Sequence, residues 1–317
     1  MMENNFAYSI SKKTDYNKIE INDINNFKDS FIWINLDQNL ISNNTFLKER
    51  ANVDDIVASS LLANDTRVRY FEHNNGLLLI LRAINLNPKE EPDDMVSLRI
   101  WIESNRVITV FKKNVKAIRD LENEILDNNA PTSSNELLIR LIDKISNRIS
   151  ESVININDLV EDIEDNVFEK QLTNDEISSQ VRKQIIKLKR YLYPQKEVLF
   201  QLSQKNNIFS IKEKANLIDN ADKITRYVEE LEVARERTMI ALDEIETLLA
   251  RNTNKILYRL SIISVIFLPL SFITGLLGIN VNGIPGSTFP FAFIIVCVIL
   301  IVLFIIQLFI FRKLKWV

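Results

Sequence analysis

The chain has 317 residues, 46% of them hydrophobic, with 39 basic against 42 acidic side chains and a net charge of −3. A negative balance argues against nucleic acid as a partner. A single glycine precedes residue 275, and the chain holds one histidine (His73) and one cysteine (Cys297). That leaves nothing to build a glycine-rich phosphate loop, a Cys/His zinc cluster or a disulfide framework, and a Ser/His/Asp site would have to use His73, near which nothing places a nucleophile, so no enzyme and no cofactor are expected. The first thirty residues hold Asn, Asp, Lys and Glu without an apolar core segment, and no signal peptide is expected.

Residues 1–130 read as a cytoplasmic α/β domain. Strand patterns cover Phe31–Leu36, Arg67–Glu72, Leu77–Ile84, Val96–Glu103 and Arg106–Phe111, and Val53–Ala63 reads as a short helix. Asn74-Asn75-Gly76 and Ser104-Asn105 are hairpin turns. Strands joined by turns predict a largely antiparallel sheet. Asn85–Asp94 reads as an exposed acidic loop, and His73 as a solvated turn residue, with metal binding as the lesser alternative.

Residues 131–218 read as a helical hairpin. Ser133 or Ser134 can cap the first helix, and Leu137, Leu138, Leu141, Ile142, Ile145, Ile149, Val153, Ile156, Val160 and Ile163 repeat at threes and fours as far as about Phe168. The second helix runs from about Asn174 to Gln204 across Pro194. The first helix carries Asp158, Glu161, Asp162, Glu164 and Asp165. These carboxylates are either a solvated face or a place where divalent cations gather, since oxygen ligands suit hard cations and zinc also accepts carboxylates.

A third helix is expected from near Asp219, with no breaker before Pro269. Continued to Gly278 it would be about 90 Å long, a stalk (219–255) running into a first membrane span (256–279). Leu260–Phe311 is 52 residues without Asp, Glu, Lys, Arg or His, too long for one span and suited to two. Four of the five glycines (275, 278, 283 and 286) punctuate its middle, leaving an external loop at 280–288 and a second span at 289–311. Arg251, Lys255 and Arg259 precede the first span, and a basic tail (312–317) with Arg312, Lys313 and Lys315 follows the second. Positive flanks stay inside, which puts both termini in the cytoplasm and the loop outside, with Tyr258 and Trp316 as interfacial anchors.

Two helices cannot enclose a water-filled path, so any path needs several chains. Stepping back from Gly278 by threes and fours meets Gly275, Ser271, Leu268, Ser264, Ser261, Leu257, Asn254, Ala250, Thr247 and Asp243. Nine of these eleven are small or polar, amid Ile262, Ile263, Ile266 and Phe267. Small residues also line close helix contacts. Asp243 at the cytoplasmic end favours a pore, because an acidic ring at a mouth selects cations. Leu231, Leu242, Ile245, Leu249 and Ile256 form an apolar stripe beside the polar one, and Pro269 frees the carbonyl of Val265.

Gly278-Ile279-Asn280 after the first of two terminal spans resembles the Gly-Met-Asn signature of the CorA-type divalent-cation transporter family. Ile279 in place of Met, the following Val-Asn-Gly-Ile-Pro-Gly, Arg190–Gln195, and Leu77–Lys113 with Asn85-Leu86-Asn87-Pro88 are similar to its ZntB branch, although Asn282 stands where that branch is expected to have Gly. The resemblance implies a CorA-like homopentamer in the inner membrane: an α+β cytoplasmic domain, a long stalk and two membrane helices. First spans would line the pore and second spans surround it. Rings of Asn280 with Gly278 carbonyls would receive a hydrated ion, Leu268 and Leu257 would be constrictions, and Asp243 would draw the ion inward. For the ion, the resemblance implies Zn2+, with Cd2+, Ni2+ or Co2+, and proton-coupled movement. The alternatives are a Mg2+/Co2+ channel of the same family and a non-conducting membrane-anchored sensor.

Overall fold

The computed structural model describes residues 5–11, 15–26, 30–40, 42–64, 66–169, 175–205, 207–279, 284, 286 and 289–314. The chain divides into two compact units, Met1–Leu242 and Asp243–Val317.

The first unit is built on a seven-stranded sheet: β1 (Phe6–Ser11), β2 (Tyr16–Ile19), β3 (Ser30–Asp37), β4 (Arg69–His73), β5 (Gly76–Ala83), β6 (Val96–Glu103) and β7 (Arg106–Phe111). The order is β2-β1-β3-β7-β6-β5-β4. It is largely antiparallel, as its hairpin-rich sequence predicts. The exception is β3 beside β7, which pair in parallel with Ile34 opposite Ile108. The sheet thus joins an antiparallel group β2-β1-β3, with β1 in its middle, to an antiparallel meander of β4 to β7, and the connection from β3 to β4 carries α1 (Ser42–Thr45) and α2 (Asp55–Leu61). Two strands escape the sequence pattern, β1 and β2. In β1 all residues from Phe6 to Ile10 are buried, so no polar face marks the strand.

Both faces of the sheet are covered. Ile34, Leu78, Ile80, Ile108 and Val110 pack with Leu47, Val57 and Leu61 in one core. Residues of the opposite parity, among them Trp33, Leu79 and Ile100, are equally buried. The turn from β4 to β5 needs glycine at 76, because a Cβ there would sit 2.3 Å from the Trp101 ring. Asp54 caps α2 by accepting the Ile56 N–H at 2.9 Å. Its other oxygen lies 3.3 Å from His73 Nε2, so the lone histidine faces a carboxylate instead of open solvent.

Beyond the sheet come α3 (Lys116–Leu126), α4 (Ser134–Phe168), α5 (Asp175–Ser203), α6 (Ile211–Leu277) and α7 (Ala292–Lys313). Ser133 caps α4, its Oγ accepting the Glu136 N–H at 3.1 Å. Two contacts tie α5 to the sheet. Gln195 Oε1 accepts the backbone N–H of Arg82 at 2.8 Å, beyond the point where β4 stops pairing with β5, and the Arg82 guanidinium stacks 4.8 Å from the Tyr191 ring. The loop Asn85–Asp94 is exposed only in part. Asn85 and Asp93 are buried, and Lys187 of α5 holds Asp93 at 2.8 Å and Asp94 at 2.9 Å.

The third long helix starts earlier than its expected beginning near Asp219. Ser210 and Glu213 form a reciprocal capping box: the Ser210 N–H donates to Glu213 Oε2 at 2.6 Å and the Glu213 N–H to Ser210 Oγ at 3.4 Å. The helix then continues unbroken through Pro269.

The second unit has almost no interior. Its buried hydrophobic residues among those described are Ile245, Ile266 and Phe311. Both helices there pass the length and apolarity required of a span, with windows of mean hydropathy 2.3 in α6 and 3.5 in α7. So apolar and so uncovered a surface is stable only against lipid or other protein.

Candidate ion pathway

The stripe lies on one face of α6. Asp243, Ala250, Asn254, Leu257, Ser261, Ser264, Leu268, Ser271, Gly275 and Gly278 are all exposed in the single chain, and Thr247 is half-buried. The neighbouring apolar stripe changes along the helix: Leu231 and Ile245 are buried, Leu249 is 40% exposed and Ile256 64%. The helix therefore packs within its own chain at its start and loses that cover toward the spans.

Hydroxyl geometry gives the stripe its chemistry. On the stripe Ser264 Oγ donates to the Leu260 carbonyl at 3.0 Å, and beside it Thr274 Oγ1, outside the stripe, lies 3.1 Å from the carbonyls of both Leu270 and Ser271. With its proton directed at its own helix, such an oxygen turns lone pairs outward, as an acceptor for a cation or its waters. Ser264, Leu268, Pro269 and Ser271 share an open groove with Phe267 and Phe272.

The helix ends at a tight turn. The Gly278 N–H reaches the Thr274 carbonyl at 2.9 Å and the Gly275 carbonyl at 3.2 Å. A Cβ on Gly278 would come 3.0 Å from the Thr274 oxygen, whereas one on Gly275 would meet nothing. Ile279 is exposed at the start of the loop. Asn280 lies outside the described residues, as do Val281–Gly283, Trp316 and Lys315.

The acidic residues of α4 do not converge. Asp158, Glu161, Asp162 and Asp165 are exposed, and Glu164 is half-buried. Glu164 receives Arg237 of α6 as a two-point ion pair, with Nε at 2.9 Å from Oε1 and Nη2 in close contact with Oε2. That contact holds the Arg237 guanidinium above its ordinary range. Among the described residues no group of three or more His, Cys, Asp or Glu is placed to hold a metal within one chain. Arg237 was invisible to sequence reasoning, since its partner is 73 positions away and no local spacing links them. A second such link joins α4 to α6: Lys223 Nζ lies 3.0 Å from Asp143 and 2.9 Å from Asp219.

A covered mixed sheet, a helix continuing from it into an apolar segment, and a second apolar helix define a membrane protein with two adjoining spans. The chain belongs to the CorA-like Mg2+ transporter family, whose pattern matches residues 28–313. The zinc transport protein ZntB of Pectobacterium carotovorum subsp. carotovorum (strain PC1) is 30% identical over 298 residues, 94% of this chain and 91% of that protein. The divalent cation transporter CmaX of Pseudomonas aeruginosa is 30% identical over 309 residues, 96% of this chain and 92% of that protein. The solved full-length CmaX structure superposes with a TM-score of 0.86 at 28% identity, covering 100% of this chain and 99% of that one. Within this family of transporters the chain's likeness lies with the ZntB branch.

Proposed function

We propose that this protein moves divalent cations, Zn2+ foremost with Cd2+, Ni2+ and Co2+ as companions, through a pore built by a homopentamer. One observation carries the reading: a file of mostly small and polar residues runs along α6 from Asp243 to Gly278, and all of it except the half-buried Thr247 is exposed in the single chain. Five copies set side by side would turn that file inward and leave α7 toward lipid. Both termini would lie in the cytoplasm of a cell whose inner membrane the spans cross, consistent with Arg251, Lys255, Arg259, Arg312 and Lys313 flanking them.

On this reading Gly278, Ile279 and Asn280 form the outer entrance. Carbonyl and amide oxygens there bind the waters of the ion without removing them, which avoids the cost of dehydrating a small divalent cation. Leu268 and Leu257 narrow the path, and Asp243 concentrates cations at its inner end. Zinc is supported by the names of the ZntB relatives. The donor chemistry favours a second reading, a Mg2+ channel, because the file offers only oxygens and its one soft candidate, Cys297, is on α7.

Flux into liposomes holding the purified protein separates the two. Zn2+ flux that grows with an imposed pH gradient, and that collapses in Asn280→Ala while the assembly persists, is the expected result. Mg2+ passing as well as Zn2+, indifferent to the gradient, would replace zinc transport by the Mg2+ channel. Wild-type flux in Asn280→Ala would remove the entrance from its assigned place.

A further inference from the structure

The two helices of the hairpin carry opposite charge on their outward faces. In α4, Asp158, Asp162 and Asp165 recur at steps of four and three, all exposed, and no Lys or Arg lies between Arg148 and the helix end at Phe168. Ile154 (55% exposed) and Leu159 (39%) adjoin that file. In α5 no Asp or Glu lies between Ile177 and Lys196. Its outward face shows Arg182, Lys183 and Arg190 together with Ile186, Tyr193 and Phe200, which are 50%, 57% and 53% exposed and recur every seventh residue. Glu197 is the acidic exception on that face.

Among the described residues, the ion pairs that α4 beyond Glu151 and α5 form with other elements are Glu164 to Arg237, Lys187 to Asp93 and Asp94, and Lys189 to Glu232, while Lys196 meets its neighbour Glu197. Asp158, Asp162, Asp165, Arg182 and Lys183 take part in none of them.

We infer that the acidic face of α4 docks against the basic, apolar face of α5 in a second copy of this chain. The inference rests on the ring proposed above and assigns one of its contacts. A ring needs a head-to-tail interface, in which each subunit offers two different, complementary patches. Rotation about an axis along the hairpin preserves height, so the patches must also lie at one level. Asp162 lies six residues before the end of α4 and Arg182 seven after the start of α5, so helical rise sets them about 9 Å and about 10 Å from those two ends. Charge complementarity fixes which faces meet, and the exposed apolar side chains supply the burial that surface ion pairs alone do not.

The test uses the full-length protein in membranes with Cys297→Ser, in which chains carrying Asp162→Cys and differently tagged chains carrying Arg182→Cys are co-expressed, and each is also expressed alone. Co-expression is expected to give cross-linked dimers carrying both tags under a short bismaleimide, and each variant alone none. Charge reversal at Arg182→Glu and Lys183→Glu should lower the temperature at which the ring dissociates, and adding Asp158→Lys and Asp162→Lys should restore it. Native mass of the same sample separates the claims. A monomer would defeat the ring reading itself. A ring with no such mixed dimer would overturn this docking surface and leave the ring standing.

Discussion

Removing the Arg237 side chain tests whether Glu164 is a strut or a metal ligand. The pair joins α4 to α6 by two contacts, Nε to Oε1 at 2.9 Å and Nη2 to Oε2. Two-point geometry strengthens it. Both side chains are 37% exposed, and solvent screening at that exposure confines the contribution to that of a good surface pair, about 1 kcal/mol. Arg237→Ala should therefore lower the melting temperature of the full-length protein by about 2–4 °C. Glu164→Gln should do much the same, and the double variant should cost little more than either alone. The cycle is measured with and without Mg2+ or Zn2+. Fully additive losses would refute the ion pair. A coupling that disappears when the cation is added would refute the strut, since it would mean that metal displaces arginine from the carboxylate.

Gly278→Ala brings a Cβ to 3.0 Å from the Thr274 carbonyl and should loosen the end of the span, read as lost ion flux in an intact assembly. Gly275→Ala meets nothing in its own chain, so alanine's better helix propensity should be tolerated there, and any loss of flux or assembly must come from neighbouring copies. Ser210→Ala removes one half of the capping box at the start of α6 and should destabilise by about 1 kcal/mol in chemical unfolding. Burial, then the Glu122 carboxylate accepting its hydroxyl at 3.1 Å, raise the Tyr8 phenol above its ordinary value. The unfolded chain releases that proton first, so stability is present below pH about 10 and falls as pH rises past it. Tyr8→Phe should flatten that alkaline loss, and an unchanged slope would refute the assignment.

The long apolar elements were legible because their periodicity depends on nothing distant. The 52 uncharged residues, the threes and fours of Leu137–Ile163 and the hairpin signals at Asn74–Gly76 and Ser104-Asn105 each report a local constraint. The elements that escaped depend on partners far along the chain. Strand β1 is recognisable only once β3 lies beside it, with Tyr8 opposite Trp33, and α3 is short enough that its buried Ile118, Leu121 and Ile125 read as an ordinary loop flank. The start of α6 is a different case. Ser210-x-x-Glu213 is a local signal and was open to detection, but Asp219 is an equally plausible cap. For the pathway, the file on α6 follows from spacing alone, whereas the commitment of Glu164 to Arg237 does not.

The composition of the spans restricts how protons could accompany a cation along the proposed pathway. From Leu260 to Phe311 the only ionisable side chain is Cys297, and it lies on α7. A proton cannot step through that segment by side-chain titration on the file, so coupling would have to act at its inner end or through the ion's own water. At the inner end Asp243, Glu244 and Glu246 are all exposed in the single chain, and Asp243 begins the file itself. Coupling at the inner end would therefore have to run through these carboxylates. Asp243→Asn separates this from water-borne coupling: the mutant should retain Zn2+ flux but lose its response to a pH gradient. A gradient response that survives the mutation assigns the proton to the hydrated ion or to Glu244 and Glu246.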